Sequence, residues 1–240
     1  MQGAPDLVAA PYEQDGVAFD GALATAGATP RPGVLVVHGW EGRSAGQEAF
    51  AARIAALGYV GFCVDLYGDG RRGSMSADNS ALMAPLMSDR ALLRRRLLGA
   101  VEAAGRRPEI DAANMAATGF CFGGLCALDL ARANAPLKAV ASFHGGLATS
   151  TLPSRRIDMK VAVLHGWDDP MAPPADVLAL AKELTEAKAD WQLHAYGGTM
   201  HAFMAEGVNA PERGLQYNER SARRAWAILE GLLTESFFAR

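Results

Sequence analysis

Six residues constrain this chain more than any other segment: Gly119-Phe120-Cys121-Phe122-Gly123-Gly124. The residues before them, 114–118, are typical of a short buried strand, and those from 124 to 134 are typical of a helix. A tight strand-to-helix turn of this kind needs small residues on either side of its central position, because strand and helix approach each other closely there. The pattern therefore predicts a nucleophile elbow in which a cysteine takes the position that serine usually holds.

Such a turn exposes the Cys121 side chain and directs two stabilising groups at it, the N–H of Phe122 and the positive end of the helix dipole. The dipole favours a thiolate. A lone cysteine is more often a packing residue, and Cys63 and Cys126 are interpreted in that way. A catalytic role for Cys121 depends on whether an acid and a base follow it in the right order.

Composition excludes several classes of protein. The 240 residues suit one α/β domain, predicted to span 1–240, and the net charge of −3 provides no basic surface for nucleic acid or an anionic membrane. No apolar run reaches the roughly 18 residues that span a bilayer. The first residues lack the basic and apolar regions of a secretory signal, and three cysteines without framework spacing suit a reducing compartment. We therefore expect a cytoplasmic protein.

No cofactor motif is present in the sequence. No Cys/His cluster has zinc spacing, no glycine-rich loop ends in Lys-Ser or Lys-Thr, and no G-x-G-x-x-G follows a strand. The sequence therefore predicts neither a metal nor a cofactor. The run Arg94-Arg95-Arg96 is interpreted as the solvated part of an amphipathic helix.

Apolar runs of strand length alternate with segments of helix length along the chain. This alternation predicts an α/β fold with a mostly parallel sheet and helices on both faces. The predicted strands are 16–21 as an entry strand or hairpin of an antiparallel edge, 33–37, 59–64, 114–118, 137–143, 160–164 and, as the last, 191–196. The predicted helices are 45–57, 80–104 with a break near Pro85, 124–134, 175–188 and 217–238.

Polar residues follow several of these strands, at the sheet edge where functional groups collect in such folds. Asp168 and Asp169 come after the strand at 160–164, and His201 follows the last strand. Nucleophile, acid and base therefore occur in the order found in α/β-hydrolases. In such a triad the Cys121 thiol attacks a carbonyl, an imidazole takes its proton and a carboxylate fixes the imidazole tautomer. Asp169 is the predicted acid, and Asp168 is expected to turn outward or to cap the turn.

Two backbone N–H groups are predicted to bind the oxyanion that such an attack forms. One belongs to Phe122, and the other lies in the first polar loop at Trp40, beside Gly39. Three further histidines at or beyond strand ends are interpreted as structural, hydrogen-bonding residues: His38, His144 and His165.

Taken together, these motifs resemble the dienelactone hydrolase family of carboxymethylenebutenolidase-like α/β-hydrolases. The matching stretches run through most of the chain in the family's order: Gly33–Gly42, Leu57–Gly68, Gly119–Gly124, Ser142–Gly145, His165–Pro173 and His201–Phe203. The resemblance implies an α/β-hydrolase fold of roughly eight strands without a separate cap domain. It also implies a Cys–His–Asp triad, which falls on Cys121, His201 and Asp169.

The chain departs from this family where the substrate is activated and bound. Well-known members carry a Glu in the first loop that contacts the resting thiol; by position that residue is Gly39 here, and Glu41 stands two further on. Those members also hold a substrate carboxylate with two arginines. One of these falls on Ala205, and the segment 75–88, where the other is expected, contains no arginine. Three arginines are candidates to compensate: Arg71, Arg72 and Arg90.

The sequence thus predicts a hydrolase that cleaves a small-molecule carboxylic ester or lactone through a thioester. A thioesterase or broad arylesterase is the alternative among enzymes. Two alternatives come from other classes of protein. One is a hydrolase-fold binding protein with slow turnover, and the other is a protein that senses redox state through a cysteine. The natural substrate is not identified by the sequence, and both monomer and homodimer stay open.

Overall fold

The computed structural model describes residues 6–74, 76–148 and 156–238. Its strands are β1 (Asp6–Ala9), β2 (Tyr12–Gln14), β3 (Val17–Phe19), β4 (Ala22–Thr25), β5 (Arg31–Val37), β6 (Val60–Val64), β7 (Ile110–Phe120), β8 (Ala139–Phe143), β9 (Lys160–Gly166), β10 (Asp190–Tyr196), β11 (Asn209–Ala210) and β12 (Leu215–Gln216). Its helices are α1 (Ala45–Ala56), α2 (Ser80–Ser88), α3 (Arg90–Gly105), α4 (Phe122–Arg132), α5 (Pro174–Glu186) and α6 (Glu219–Phe238). Within these ranges, none of the helices combines the length and the apolar character that a membrane span requires.

Eight strands form one sheet in the order β1-β4-β6-β5-β7-β8-β9-β10. At one edge, β4 pairs antiparallel with both β1 and β6. The pairs β5–β6, β8–β9 and β9–β10 are parallel. The prediction of a mostly parallel sheet of about eight strands is therefore confirmed.

Packing divides the described chain into two compact units, residues 6–117 with 135–137 and residues 118–134 with 138–238. A single domain over 1–240 stays a prediction. In the first unit, the apolar runs of β5 and β6 are buried along Val34–Val37 and Val60–Val64. Such continuous burial is expected of parallel strands that are covered on both faces.

Helix α1 of the first unit begins and ends where its sequence signals place it. The Ser44 hydroxyl accepts a hydrogen bond from the N–H of Gln47, which satisfies one of the unpaired donors of the first turn. Gly58, just past the end, has a φ of 95°, a left-handed conformation that favours glycine. A Cβ at Gly61 would lie 2.5 Å from the carbonyl oxygen of Ala51, so α1 packs directly on β6.

In the second unit, α4 is buried along its whole length. Its last residue, Arg132, is 5% exposed and donates to the Glu183 carboxylate at 2.7 and 2.8 Å and to Asp129 at 3.1 Å. The ion pair with Glu183 ties α4 to α5. Removing one member of such a buried set leaves an uncompensated charge, which costs about 3–5 kcal/mol.

The structure corrects the sequence predictions at both ends of the chain. The predicted hairpin exists as β2 and β3, but these two strands form a separate two-stranded sheet. The antiparallel edge of the main sheet is made by β1 and β4, which were not predicted. The strand at 191–196 is not the last, since β11 and β12 pair with each other further along.

The break in the long predicted helix falls at Asp89 rather than at Pro85. Pro85 lies inside α2, whereas Asp89 separates α2 from α3. The Asp89 carboxylate accepts a hydrogen bond from the N–H of Leu92 at 2.8 Å, so it caps the start of α3. A capping side chain satisfies donors that have no partner in the helix, and this decides the boundary here.

Candidate active site

The elbow forms as the glycine spacing predicts. Cys121 lies between β7 and α4 with φ 54° and ψ −115°, a conformation that non-glycine residues rarely adopt. Its N–H donates to the carbonyl of Phe143 at 3.1 Å, and its carbonyl accepts from the N–H groups of Gly124 and Leu125 at 3.0 and 3.2 Å. These bonds hold the strained residue in place, which is how such strain persists at functional sites.

Replacing Gly119 is expected to break this turn, because an added Cβ would overlap the carbonyl oxygen of Gly123. Gly119→Ala should lower the free energy of unfolding by about 2 kcal/mol or more, as measured by denaturant or thermal unfolding. Gly197→Ala is the matched control, since its Cβ would meet no atom within 4 Å. Equal stabilities of the two variants would contradict the close approach of strand and helix.

The structure brings His201 and Asp169 together in the second unit, which also contains Cys121. The His201 Nδ1 lies 2.7 Å from Asp169 Oδ2, and the Asp169 side chain is fully buried. The other carboxylate oxygen, Oδ1, accepts from the N–H of Met171 at 2.8 Å. Asp168 is exposed, and its backbone N–H donates to the carbonyl of Thr199. Of the two adjacent aspartates, only Asp169 thus directs its carboxylate at the histidine.

The loop that carries His201 is fixed by a small element that the sequence patterns missed. The N–H of His201 donates to the carbonyl of Gly214, and its carbonyl accepts from the N–H of Gln216, both at 3.0 Å. Gly214 has a φ of 72° and leads into β12. In the sequence, Pro211 followed by Gly214 indicates a turn at this position. The strands on either side of the turn have only two residues each, so they show no periodicity from which they could be predicted.

The pKa of His201 reflects both of its neighbours. Burial alone lowers the pKa, but the hydrogen bonds and charges of Asp169 and Cys121 outweigh it and raise the pKa to about 10. The Nε2 atom is buried and makes no hydrogen bond of normal geometry with the described residues. The Cys121 thiol therefore lies near enough to raise the pKa of this imidazole without a hydrogen bond of normal geometry, as is common before substrate binds. The raised pKa favours an imidazolium at His201 at neutral pH.

The three histidines predicted to be structural differ in their bonding. His38 follows the prediction: its Nε2 accepts from the N–H of Leu66 at 3.1 Å, so its Nδ1 carries the proton and donates to the carbonyl of Gly39 at 2.6 Å. For His144 and His165 the predicted hydrogen bonds are not found, since their ring nitrogens are buried and make no hydrogen bond with the described residues. Burial lowers the pKa of both imidazoles, so both rings are neutral.

The two predicted oxyanion donors lie in different units. Phe122 is the first residue of α4 and is buried at the start of the second unit. Trp40 belongs to the first unit, where its carbonyl accepts a hydrogen bond from the Tyr67 hydroxyl at 2.8 Å. The role of both N–H groups stays a prediction.

Within the first unit, Glu41 folds back over Gly39. A Cβ at position 39 would lie 2.5 Å from Glu41 Oε2, so the carboxylate fills the space that a side chain there would need. Burial raises the pKa of Glu41, although the hydroxyl of Ser44 donates to it at 3.2 Å. A carboxylate is therefore present beside position 39, supplied by a residue two further along the chain.

The candidate arginines of the first unit make contacts with their own loop. Arg71 donates through Nε to the carbonyl of Gly68 at 3.2 Å and through a terminal nitrogen to the carbonyl of Tyr67. Arg72 pairs with Asp20. The described contacts of both guanidinium groups are thus structural. The described residues contain no group of three or more His, Cys, Asp or Glu side chains that could hold a metal ion.

Comparisons with known proteins point to one family. Residues 19–237 match the dienelactone hydrolase family. An uncharacterized protein of Caenorhabditis elegans is 32% identical over 157 residues, covering 63% of this chain and 99% of the relative. A protein of Aquifex aeolicus named "Putative carboxymethylenebutenolidase" is 27% identical over 226 residues, covering 90% of this chain and 93% of the relative.

A solved structure gives the same indication. The crystal structure of P91 from metagenomic libraries, described as a dienelactone hydrolase-like promiscuous phosphotriesterase, superposes with a TM-score of 0.91. It is 34% identical in sequence, and the match covers 98% of this chain and 100% of that one. The likeness therefore extends over the whole of the fold.

Proposed function

Because the chain belongs to the dienelactone hydrolase family and has an α/β-hydrolase fold, we propose that it cleaves a carboxylic ester or lactone through Cys121, His201 and Asp169. The observation that carries this proposal is the 2.7 Å bond between His201 Nδ1 and the buried Asp169 carboxylate, with Cys121 close enough to raise the pKa of the same imidazole. A nucleophile, a base and an orienting acid in this order are the requirements of covalent acyl transfer.

In the first half of the reaction, His201 Nε2 holds the proton of the Cys121 thiol, and the thiolate attacks the carbonyl carbon of the substrate. The N–H groups of Phe122 and Trp40 are the proposed donors to the oxyanion. The imidazolium then gives its proton to the departing alkoxide as the carbon–oxygen bond breaks. An acyl thioester on Cys121 and a free alcohol result; with a lactone, the alcohol stays attached to the acyl chain.

In the second half, neutral His201 takes a proton from water, and the hydroxide attacks the thioester carbonyl. The carbon–sulfur bond breaks, the acid leaves and His201 again holds the proton shared with Cys121. Asp169 accepts from Nδ1–H throughout, so it fixes the tautomer that keeps Nε2 available.

The substrate class is proposed from what surrounds the site in sequence and structure. Ala205, at the position where family members place one carboxylate-binding arginine, has no charge to offer. Arg71 and Arg72 bind carbonyls and Asp20 of their own unit. We therefore expect uncharged esters or lactones to be cleaved at least as well as carboxylate-bearing ones, with thioesters and aryl esters as alternatives.

A second candidate activity is the hydrolysis of phosphotriesters. The observation that favours it is the 34% identity with P91, a promiscuous phosphotriesterase. In that reaction the Cys121 thiolate attacks phosphorus, with the Phe122 N–H donating to the phosphoryl oxygen. The phosphorus–oxygen bond to one ester group breaks, and the departing alkoxide or aryloxide takes the proton of His201. Water activated by neutral His201 then cleaves the sulfur–phosphorus bond and releases the phosphodiester.

The test is a turnover screen of lactones, aryl esters, thioesters and phosphotriesters, each with and without a carboxylate. Steady multiple turnover and a transient acyl adduct on the Cys121 peptide, detected by rapid quenching and mass spectrometry, are expected for an ester or lactone. An adduct that forms once and stalls would indicate a binding protein instead. An adduct on another residue would exclude the mechanism.

None of the three cysteines, which all lie within the described residues, forms a disulfide, and Cys63 and Cys126 are buried, as their interpretation as packing residues requires. On this ground we also propose a reducing, cytoplasmic location. Whether the protein is a monomer or a homodimer can be measured by light scattering.

A further inference from the structure

The ring of His144 lies directly against the ring of His201. Their centroids are 4.8 Å apart with the planes at 66°, an edge-to-face arrangement. The His144 ring also contacts two phenylalanine rings, with centroid distances of 5.2 Å to Phe203 and 6.0 Å to Phe120. His144 therefore connects the histidine of the site with the strand that carries the elbow.

The backbone holds His144 in this place. Its φ of 37° lies in the left-handed region, and its N–H donates to the carbonyl of Leu164 on β9 at 2.8 Å. The next residue, Gly145, lies against the elbow helix, since a Cβ there would come within 2.7 Å of the Gly124 carbonyl carbon. Strain of this kind persists only where the surroundings over-determine it.

The contacts that His144 makes through its ring are aromatic rather than polar. The residue is 3% exposed, and neither ring nitrogen hydrogen-bonds to a described residue. Burial and the nearby His201 hold the pKa of His144 well below its usual range, so the ring carries no charge at neutral pH. It acts on His201 by contact and not by a charge.

We propose that His144 is a positioning residue for His201: its ring fixes the imidazole plane so that Nε2 faces Cys121. This inference rests on the function proposed above. One hydrogen bond from Nδ1 to Asp169 leaves the imidazole free to turn about that bond. The His144 ring, backed by Phe203, blocks this rotation. Losing it lets the imidazole turn away from Cys121, and the reactivity of the Cys121 sulfur falls.

The test measures the thiolate directly and needs no substrate. Iodoacetamide is the probe, and the rate of alkylation at Cys121 is followed across pH by mass spectrometry. His144→Ala is expected to slow alkylation about three- to tenfold at neutral pH, the equivalent of one edge-to-face ring contact, and to shift its onset to higher pH. His144→Phe, which keeps a ring, should stay within about twofold of the wild type.

His194→Ala is the matched control. His194 is a histidine of β10 in the same unit, where its Nε2 lies 3.2 Å from the Gln192 side-chain oxygen, and it makes no ring contact with His201 within the described ranges. It should keep the wild-type alkylation profile. If His144→Ala fails to fold, Phe203→Leu, which removes the ring behind His144, is expected to show the same slowing.

A wild-type profile for His144→Ala, or for Phe203→Leu in its place, overturns the proposal, as does a His144→Phe variant as slow as His144→Ala. Because alkylation does not depend on turnover, a failure to find an ester substrate would count against the proposed function alone.

Discussion

Cys121→Ala is expected to abolish ester and lactone turnover, by about four to six orders of magnitude, while the protein keeps its fold. The Cys121 sulfur is the only protein atom in the proposed reaction that bonds to the acyl group. Alanine keeps the Cβ at the strained turn, so the backbone bonds to Phe143, Gly124 and Leu125 are retained. Initial rates with the best substrate of the screen, together with thermal unfolding, measure both parts of this expectation.

Cys126→Ala is the matched control, since Cys126 is a fully buried cysteine five residues along in α4. It should retain turnover and lose only modest stability. His201→Ala should be about as inactive as Cys121→Ala, and the double variant no worse, because the two groups act as a unit. Undiminished turnover in Cys121→Ala would disprove the covalent mechanism.

Asp169→Asn is expected to lower kcat about 10⁴-fold with little change of shape at the site. The amide of asparagine can present its NH₂ group to His201 Nδ1, which then carries no proton and leaves Nε2 protonated in the neutral ring. The imidazole can no longer take the proton of the thiol. Asp168→Asn, on the exposed neighbouring residue, is the control and should remain close to the wild type. The reverse ranking would reassign the acid.

The same substitution should change the pH dependence. The folded-state pKa of His201, about 10, is above its ordinary 6.5, so His201 contributes stability that is fully present below pH 6.5 and is lost as pH rises through about 10. The alkaline fall in kcat/KM follows the same deprotonation, because the imidazolium protonates the leaving group. Asp169→Asn removes a contribution that raises this pKa, so its alkaline limb should move to lower pH. An unmoved limb would show that another group titrates there.

The elbow could be predicted from the sequence because its determinants are local. Gly119 and Gly123 must be small for β7 and α4 to meet, and both lie within two residues of Cys121. The pairing of Asp169 with His201 is a long-range matter. It follows from the parallel register of β9 and β10, which sets Gly166 beside Tyr196 and so brings the two following loops together. The sequence predicted their order, and only the fold provides the distance.

Three other features of the structure leave too weak a pattern in the sequence to be predicted from it. Strands β11 and β12 contain two residues each, too few for any alternation, yet they border the loop that holds His201. In the sequence, Pro85 is the more conspicuous helix breaker, while the side chain of Asp89 makes the actual cap. The unpaired nitrogens of His144 and His165 depend on what surrounds them in three dimensions, which residue type alone does not reveal.

The folded-back carboxylate of Glu41 makes positions 39 and 41 interdependent in evolution. As long as Glu41 Oε2 lies 2.5 Å from where a Cβ at position 39 would be, no larger residue can enter there without displacing it. The atom in the way is the end of a flexible side chain, so a larger residue at position 39 requires Glu41 to turn away, and the two positions should covary among homologues. Gly39→Glu alone should cost little stability but displace the Glu41 carboxylate, whereas the paired exchange with Glu41→Gly removes the conflict. Coupled substitutions thus allow the loop to move its acid by two residues without crowding.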